Sequence, residues 1–333
     1  SAVAFVVLVV VHARVDRARD QRDAAARFHE RALGRGLAHK AQPPALDAPE
    51  PADASLATHP YAMDLDMVGE RSVMSFVSFA RTQPGARTLR EWLLAAHDPP
   101  ELDEIRARQG AARALAKKPE LARALFVAGS GARREAEKAV AFETWAAAKG
   151  ESIALGAYAA IAWVLPIVTV GAMIAGQALH WPSLFTWGPY VVAVAVGAAL
   201  RSRVGKIASA VIANEGGALA YTLAFDAALS ERFDEPRLAS LQKEVEAGRA
   251  GLRALRTPSM ILDSIQNEVI RLLVAPILML ELHAVLALER WRRANGASAA
   301  KWFEAYGALE SLASFGLLSH DFPACPSPEI SAD

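Results

Sequence analysis

The sequence predicts an all-α protein, a helical body interrupted by a transmembrane helical hairpin. Apolar residues recur at spacings of three and four through the polar parts of the chain, with no strand-like alternation of any length. Residues Ile153–Leu179 run for 27 positions without a charge, and Leu184–Leu200 add 17 more. A membrane-crossing helix needs about 20 apolar residues, within a range of about 17–25. Composition agrees: 53% of the 333 residues are hydrophobic and 22% charged. An ordinary soluble domain averages about 45–50% and 25%.

The elements follow in order. Ala2–Val11 is apolar but too short to span, and no small-residue cleavage site follows it, so residues 1–11 are expected to be the end of a truncated transmembrane helix. Residues 12–40 read as a basic cytoplasmic helix, with eight Lys/Arg against four Asp/Glu. Residues 41–58 hold four prolines and no aromatic, which marks a Pro/Ala-rich linker. Residues 59–150 read as the first half of a helical core. Ser72 caps a short helix, Pro84-Gly85 breaks the chain, and Leu89, Trp92 and Leu93 mark a second helix. Leu102, Ile105, Gln109 and Ala112 define a third, and Pro119 starts a fourth that stops at Gly129-Ser130-Gly131.

Residues 151–203 form the expected hairpin. Trp181, Trp187 and Tyr190 surround its connection, as aromatics do at a membrane–water interface, and Pro166 lies within the first span. Arg201, Arg203 and Lys206 follow the second span with no acid among them. The positive-inside rule then places both ends in the cytoplasm and the turn outside. Residues 204–330 read as the second half of the core. Val204–Leu229 is a helix interrupted at Gly216-Gly217, and Pro236–Arg256 is amphipathic. Ile261–Arg293 reads as one long buried helix kinked near Pro276, because Arg271, Glu281 and His283 leave only nine uncharged positions between them. Ala299–Leu318 is the last helix.

Chemistry is sparse. Thirty-six basic and 36 acidic residues cancel, which speaks against a chain that binds nucleic acid by bulk charge. The single cysteine, Cys325, builds neither a disulfide nor a zinc site. Gly205-Lys206-Ile207 lacks the hydroxyl residue of a phosphate-binding loop. The eight histidines are scattered, no G-x-S-x-G elbow occurs, and Asp64 and Asp66 have no second carboxylate cluster to pair with. The chain is expected to carry no catalytic, cofactor-binding or metal-binding residues.

A set of short motifs points further. His59-Pro60-Tyr61-Ala62-Met63-Asp64-Leu65-Asp66-Met67-Val68-Gly69, with Ser72-Val73-Met74, resembles the opening of the core domain in MutS-like mismatch-repair proteins, and the membrane-attached bacterial branch most closely. In that family a D-L-D-L-F-G-like turn precedes a T-x-x-G break and a W-L pair. Here Thr82-Gln83-Pro84-Gly85 and Trp92-Leu93 occupy those places. An I-x-x-R-Q-x-A-x-x-x-L pattern is matched by Ile105, Arg108, Gln109, Ala111 and Leu115. Near the end, Leu288-Glu289-Arg290-Trp291-Arg292, Lys301-Trp302 and Glu310-Ser311-Leu312-Ala313-Ser314 look like the family's last core helices. Val68 replaces the usual aromatic, and Ala308 stands where an acid is common.

The resemblance covers roughly residues 59–129 and 255–330. It implies a MutS-core-like lever bundle: helices that couple an ATPase domain, expected after this region and absent from the chain, to DNA or a partner. It also implies ATP and Mg for the parent protein, a homodimer formed through the ATPase domain, mismatched or branched DNA as a ligand, and a bacterial inner (plasma) membrane location with cytoplasmic soluble parts. No residue is assigned to DNA contact, and Arg14–Lys40 reads as the positive-inside flank. The alternative is a helical membrane scaffold with no nucleic-acid role.

Overall fold

The computed structural model describes residues 2–37, 59–69, 71–95, 100–134, 136–147, 155–326 and 328–329. The linker at 41–58 lies outside the described residues, as do the side chains of 200–219. Among the described residues the chain is helical with no strand. It divides into two compact units. The first comprises Ser1–Ala136, Ala220–Gly248 and Lys301–Asp333; the second comprises Glu137–Leu219 and Arg249–Ala300.

The first unit begins with α1 (Ala2–Leu37), whose inward stripe is Ala24, Phe28, Arg31 and Arg35. After turns at 59–66, Ser72 opens α2 (Val73–Val77) with a capping box: its side chain accepts from Ser75 N, and Ser75 Oγ accepts from Ser72 N. Thr82 caps α3 (Gln83–Leu93), with Pro84 in the first turn, where its missing N–H is no loss. Pro84-Gly85 therefore opens a helix and does not break one. Next come α4 (Leu102–Ala116) and α5 (Pro119–Arg134).

Phe28, Phe79 and Phe126 make an aromatic triangle with ring centroids 5.3–5.9 Å apart. A second cluster gathers Tyr221 and Phe225 from α8 (Ser183–Ala228) with Phe303 and Tyr306 from α12 (Leu280–Asp321). Leu238 and Val245 of α9 (Pro236–Ala254) are wholly buried in the same unit. Gly248 admits that cluster, since a Cβ there would meet Phe225 at 2.6 Å and Trp302 at 2.8 Å.

The second unit holds most of α6 (Ala136–Ala147), α7 (Leu155–Leu179), the start of α8 and the start of α12. Trp145 stacks on Trp291 at 5.6 Å, and Trp291 Nε1 donates to Gly251 O at 2.7 Å. Helices α7 and α8 fold back on one another across a turn at His180, whose φ is +52°. Buried Thr186 fills the space left by Gly176, and Thr169 Oγ1 lies 3.4 Å from Pro189 O.

Four further expectations need correction. Helix α5 runs through Gly129-Ser130-Gly131 to Arg134. Helix α8 is continuous over 46 residues and passes through Gly216-Gly217, so the expected boundary near residue 203 falls inside a helix. Ile261–Arg293 is not one buried helix. It divides into the end of α10 (Arg256–Ser264), a π-helix (Ile270–Val274), α11 (Ala275–Leu278) and the start of α12, with Met279 left-handed at φ +47°. The helix expected over Ala299–Leu318 is the latter part of α12.

Close packing makes one glycine decisive. A Cβ on Gly307 would lie 2.6 Å from the backbone carbon of Pro84, where nothing flexible can yield, whereas Gly131 has open space around it. Gly307→Ala is expected to destabilise the chain by about 1–3 kcal/mol through overpacking. Gly131→Ala should stabilise it by about 0.5–1 kcal/mol through helix propensity. Thermal unfolding of the detergent-solubilised chain measures both, and opposite shifts of Tm are expected.

Candidate functional site

The most constrained chemistry in the first unit surrounds Glu310 on α12. The segment Phe79–Gly85 presents backbone donors that no helix satisfies, and α12 meets it with a polar stripe at Gly307, Glu310, Ser311 and Ser314. These positions lie at i, i+3, i+4 and i+7 and so share one helix face. Glu310 accepts hydrogen bonds from Arg81 N at 3.2 Å, from Thr82 N at 3.3 Å and from the Thr82 hydroxyl. Ser314 Oγ accepts from Phe79 N at 2.9 Å, and Ser311 Oγ lies 3.1 Å from Gly85 O. The carboxylate thus sits at the N-terminus of α3, where the helix dipole favours negative charge.

Two glycines make room for it. A Cβ on Gly85 would stand 2.1 Å from Glu310 Oε2, and one on Gly129 would stand 2.7 Å from Oε1. This contact is the reason a glycine lies within α5. Glu310 is almost fully buried, and desolvation pushes its pKa up to about 7 against the opposing pull of the Thr82 and Arg81 hydrogen bonds and the Arg81 charge. Tyr306, one turn away, has a buried hydroxyl whose pKa is raised by desolvation and by Glu310.

Arginines crowd the same region. Arg81 lies over the Phe126 ring at 4.7 Å, and burial, then Arg133, Arg31 and Arg27, lower its pKa to about 9. Arg31 donates to Ser78 O at 2.8 Å and Ser75 O at 2.6 Å; burial, then Arg35 and Arg133, bring its pKa down to about 10. Arg35 pairs with Asp321 and lies over Phe79 at 4.5 Å. The basic stretch therefore turns part of its charge inward. The periodic signal for this is Ala24, Phe28, Arg31 and Arg35, an i, i+4, i+7, i+11 stripe.

The motif residues divide between the units. In the first, Gly85 and Glu310 meet, and Leu312 is wholly buried. Trp92 stacks on Phe315 at 6.5 Å, and the Arg108 guanidinium lies over the Trp92 ring at 4.2 Å; Arg108 pairs with Glu104 at 2.9 Å. Leu93 O accepts from the Tyr61 hydroxyl at 2.9 Å, and Gln109 Nε2 donates to Pro328 O at 3.0 Å. Trp302 is buried beside Gly248. Asp64 and Leu65 are exposed in the turn, while Asp66 (φ +46°) and Gly69 (φ +124°) supply its left-handed positions. No group of three or more His, Cys, Asp or Glu suited to a metal occurs among the described residues.

In the second unit, Trp291 is buried, Trp181 and Trp187 are exposed beside the α7–α8 turn, and the Tyr190 hydroxyl donates to Leu272 O at 2.9 Å. The side chains of Arg201, Arg203 and Lys206 lie outside the described residues. The helix Gly156–Leu179 is long and apolar enough to cross a membrane, with only 17% of its apolar window buried; Ser183–Ala199 is a shorter apolar stretch. No family model matches the chain, and no curated protein or solved structure is significantly similar to it.

Burial of Glu310 has a measurable signature. Below about pH 4.5 the carboxyl is protonated in both folded and unfolded chains. Between 4.5 and about 7 the unfolded chain releases its proton while the folded chain retains it, so this group makes stability fall as pH rises, then level off. The loss is expected to be on the order of 3 kcal/mol. Glu310→Gln should remove that slope, as read from denaturant midpoints at a series of pH values. An unchanged slope in the variant would assign the titration to another group.

Proposed function

We propose that the chain is the core and lever region of a membrane-anchored MutS-like DNA mismatch-repair-type ATPase, coupling the family's ATP-binding domain to DNA or partner binding. The observation that supports this reading is the Glu310 joint. The stretches that carry the resemblance lie far apart in sequence, and two of its motif positions, the T-x-x-G break and the last-helix E-S segment, meet there through a hydrogen bond spanning 228 residues. A lever needs such a joint: a long helix that grips the start of a second helix by backbone hydrogen bonds moves with it. In this reading ATP and Mg act in the ATPase domain, which also forms the homodimer, and the described helices carry the displacement.

The same proposal places α7 and the start of α8 as a hairpin in the bacterial inner membrane. The exposed apolar surface of Gly156–Leu179 and the aromatic residues at the turn support it. Two measurements test the two parts. Ser183→Cys in a Cys325→Ser background should react with a membrane-impermeant thiol reagent from the outer face of intact cells; reaction only after lysis would reverse the orientation. The solubilised chain should retain mismatched or branched DNA at low salt and release it steeply as salt rises. Absence of binding at low salt would leave the helical membrane scaffold as the better description.

A further inference from the structure

Apart from Arg271 in its first turn, the stretch Val269–Leu278 in the second unit is apolar, and it is broken and outward-facing as well. Val269, Leu272, Leu273 and Leu278 are each more than 40% exposed on a run of ten residues, and Ala275 is its buried contact. The run is not a span. The uncharged segment Leu272–Leu280 holds nine residues, about 13 Å of helix, against the roughly 30 Å hydrocarbon core. Its backbone is also irregular, with a π-helix at Ile270–Val274 and a 64° change of axis at left-handed Met279.

Three features say what covers it. Helix α11 packs against α7, the span candidate, whose own Trp163, Val164 and Ile167 are exposed, so the two apolar surfaces belong to neighbouring helices. The π-turn loosens the backbone ladder, and the Tyr190 hydroxyl from α8 donates to Leu272 O at 2.9 Å; irregular backbone in hydrocarbon requires that kind of internal partner. The charges stand towards its ends: Glu268 pairs at 3.1 Å with Arg271 in the first turn of the run, and Glu281 and His283 follow it, with the imidazole 4.9 Å from the Trp163 ring. Arg271 and Glu281 also reach the cleft beside the run. Between α8 and the run lies a cleft of about 530 Å³. Val191, Val194 and Gly197 wall it on one side, and Leu272, Leu273 and Pro276 on the other.

We infer that Val269–Leu278 is a membrane-embedded half-span seated beside the α7–α8 hairpin, its exposed face and its cleft covered by phospholipid acyl chains. The segment enters the bilayer and leaves on the same side, because it is too short to cross and charged at both edges. This inference rests on the reading of α7–α8 as a membrane hairpin, and the experiment separates the two.

The full chain carrying Cys325→Ser is given one new cysteine at a time, labelled with an environment-sensitive fluorophore and reconstituted into phosphatidylcholine vesicles. Nitroxides on the acyl chains then quench whatever lies in hydrocarbon. Ile174→Cys reports the hairpin, Leu273→Cys and Leu278→Cys report the half-span, and Arg232→Cys reports water. All four positions are exposed, so little packing is removed. The expected result is quenching of about twofold or more at 174, 273 and 278 relative to 232, as for probes within the hydrocarbon core. Quenching at 174 with 273 and 278 behaving like 232 would overturn the half-span and leave the hairpin standing. Equal signals at all four positions would overturn the membrane reading itself.

Discussion

A single carboxyl group, buried where two helices and an extended segment meet, sets the terms for the first unit. A buried charge without partners costs several kcal/mol, so Glu310 tolerates its position only because Arg81 N, Thr82 N and the Thr82 hydroxyl all point at it. Those donors exist because α3 begins at that place, and α3 begins there because Thr82 and Pro84 cap and open it. The glycines follow from the carboxylate. Gly85 and Gly129 vacate the space it occupies, and Gly307 lets α12 approach closely enough for it to reach. Remove the carboxylate and three glycines, a cap and a helix face lose their common reason.

The second unit obeys a different rule. Its described buried polar contacts include Trp291 to Gly251 O and Glu289 to Arg292, while α7 turns a largely apolar surface outward. The neutral charge of the whole chain therefore averages over dissimilar parts: a helix that turns arginines inward, two uncharged helical stretches at 155–179 and 183–200, and a charged helical remainder. Composition described their sum and concealed each of them.

Helical periodicity and capping chemistry were legible from sequence. Ser72, Pro119 and the apolar stripes of α3 to α5 act locally, through hydrogen bonds and side-chain spacing within a few residues. What local rules could not supply was every feature decided by a distant partner. Gly129 looks like a helix stop until Glu310 is seen to need its missing side chain. Gly216-Gly217 does not end α8, and the break after Ser264 falls where no glycine marks it. Arg31 and Arg35 look like membrane-flank charges until Phe79, the Ser75 and Ser78 carbonyls and Asp321 turn them inward. The short motifs lay at the contacting positions, yet no spacing within either stretch says that Thr82 and Glu310 touch.

That separation has a consequence for biosynthesis. Thr82 and Glu310 are 228 residues apart, and ribosomes add on the order of 5–20 residues per second, so Glu310 emerges roughly 11–46 s after the backbone amides it will cap. During that interval the amides of Arg81 and Thr82 have no carboxyl group to meet, and residues 155–199 are synthesised before Glu310 is. The first unit is completed only when α12 emerges, and a nascent chain stalled before residue 310 holds an α3 that has its Thr82 cap but not the carboxyl group that the Arg81 and Thr82 amides meet.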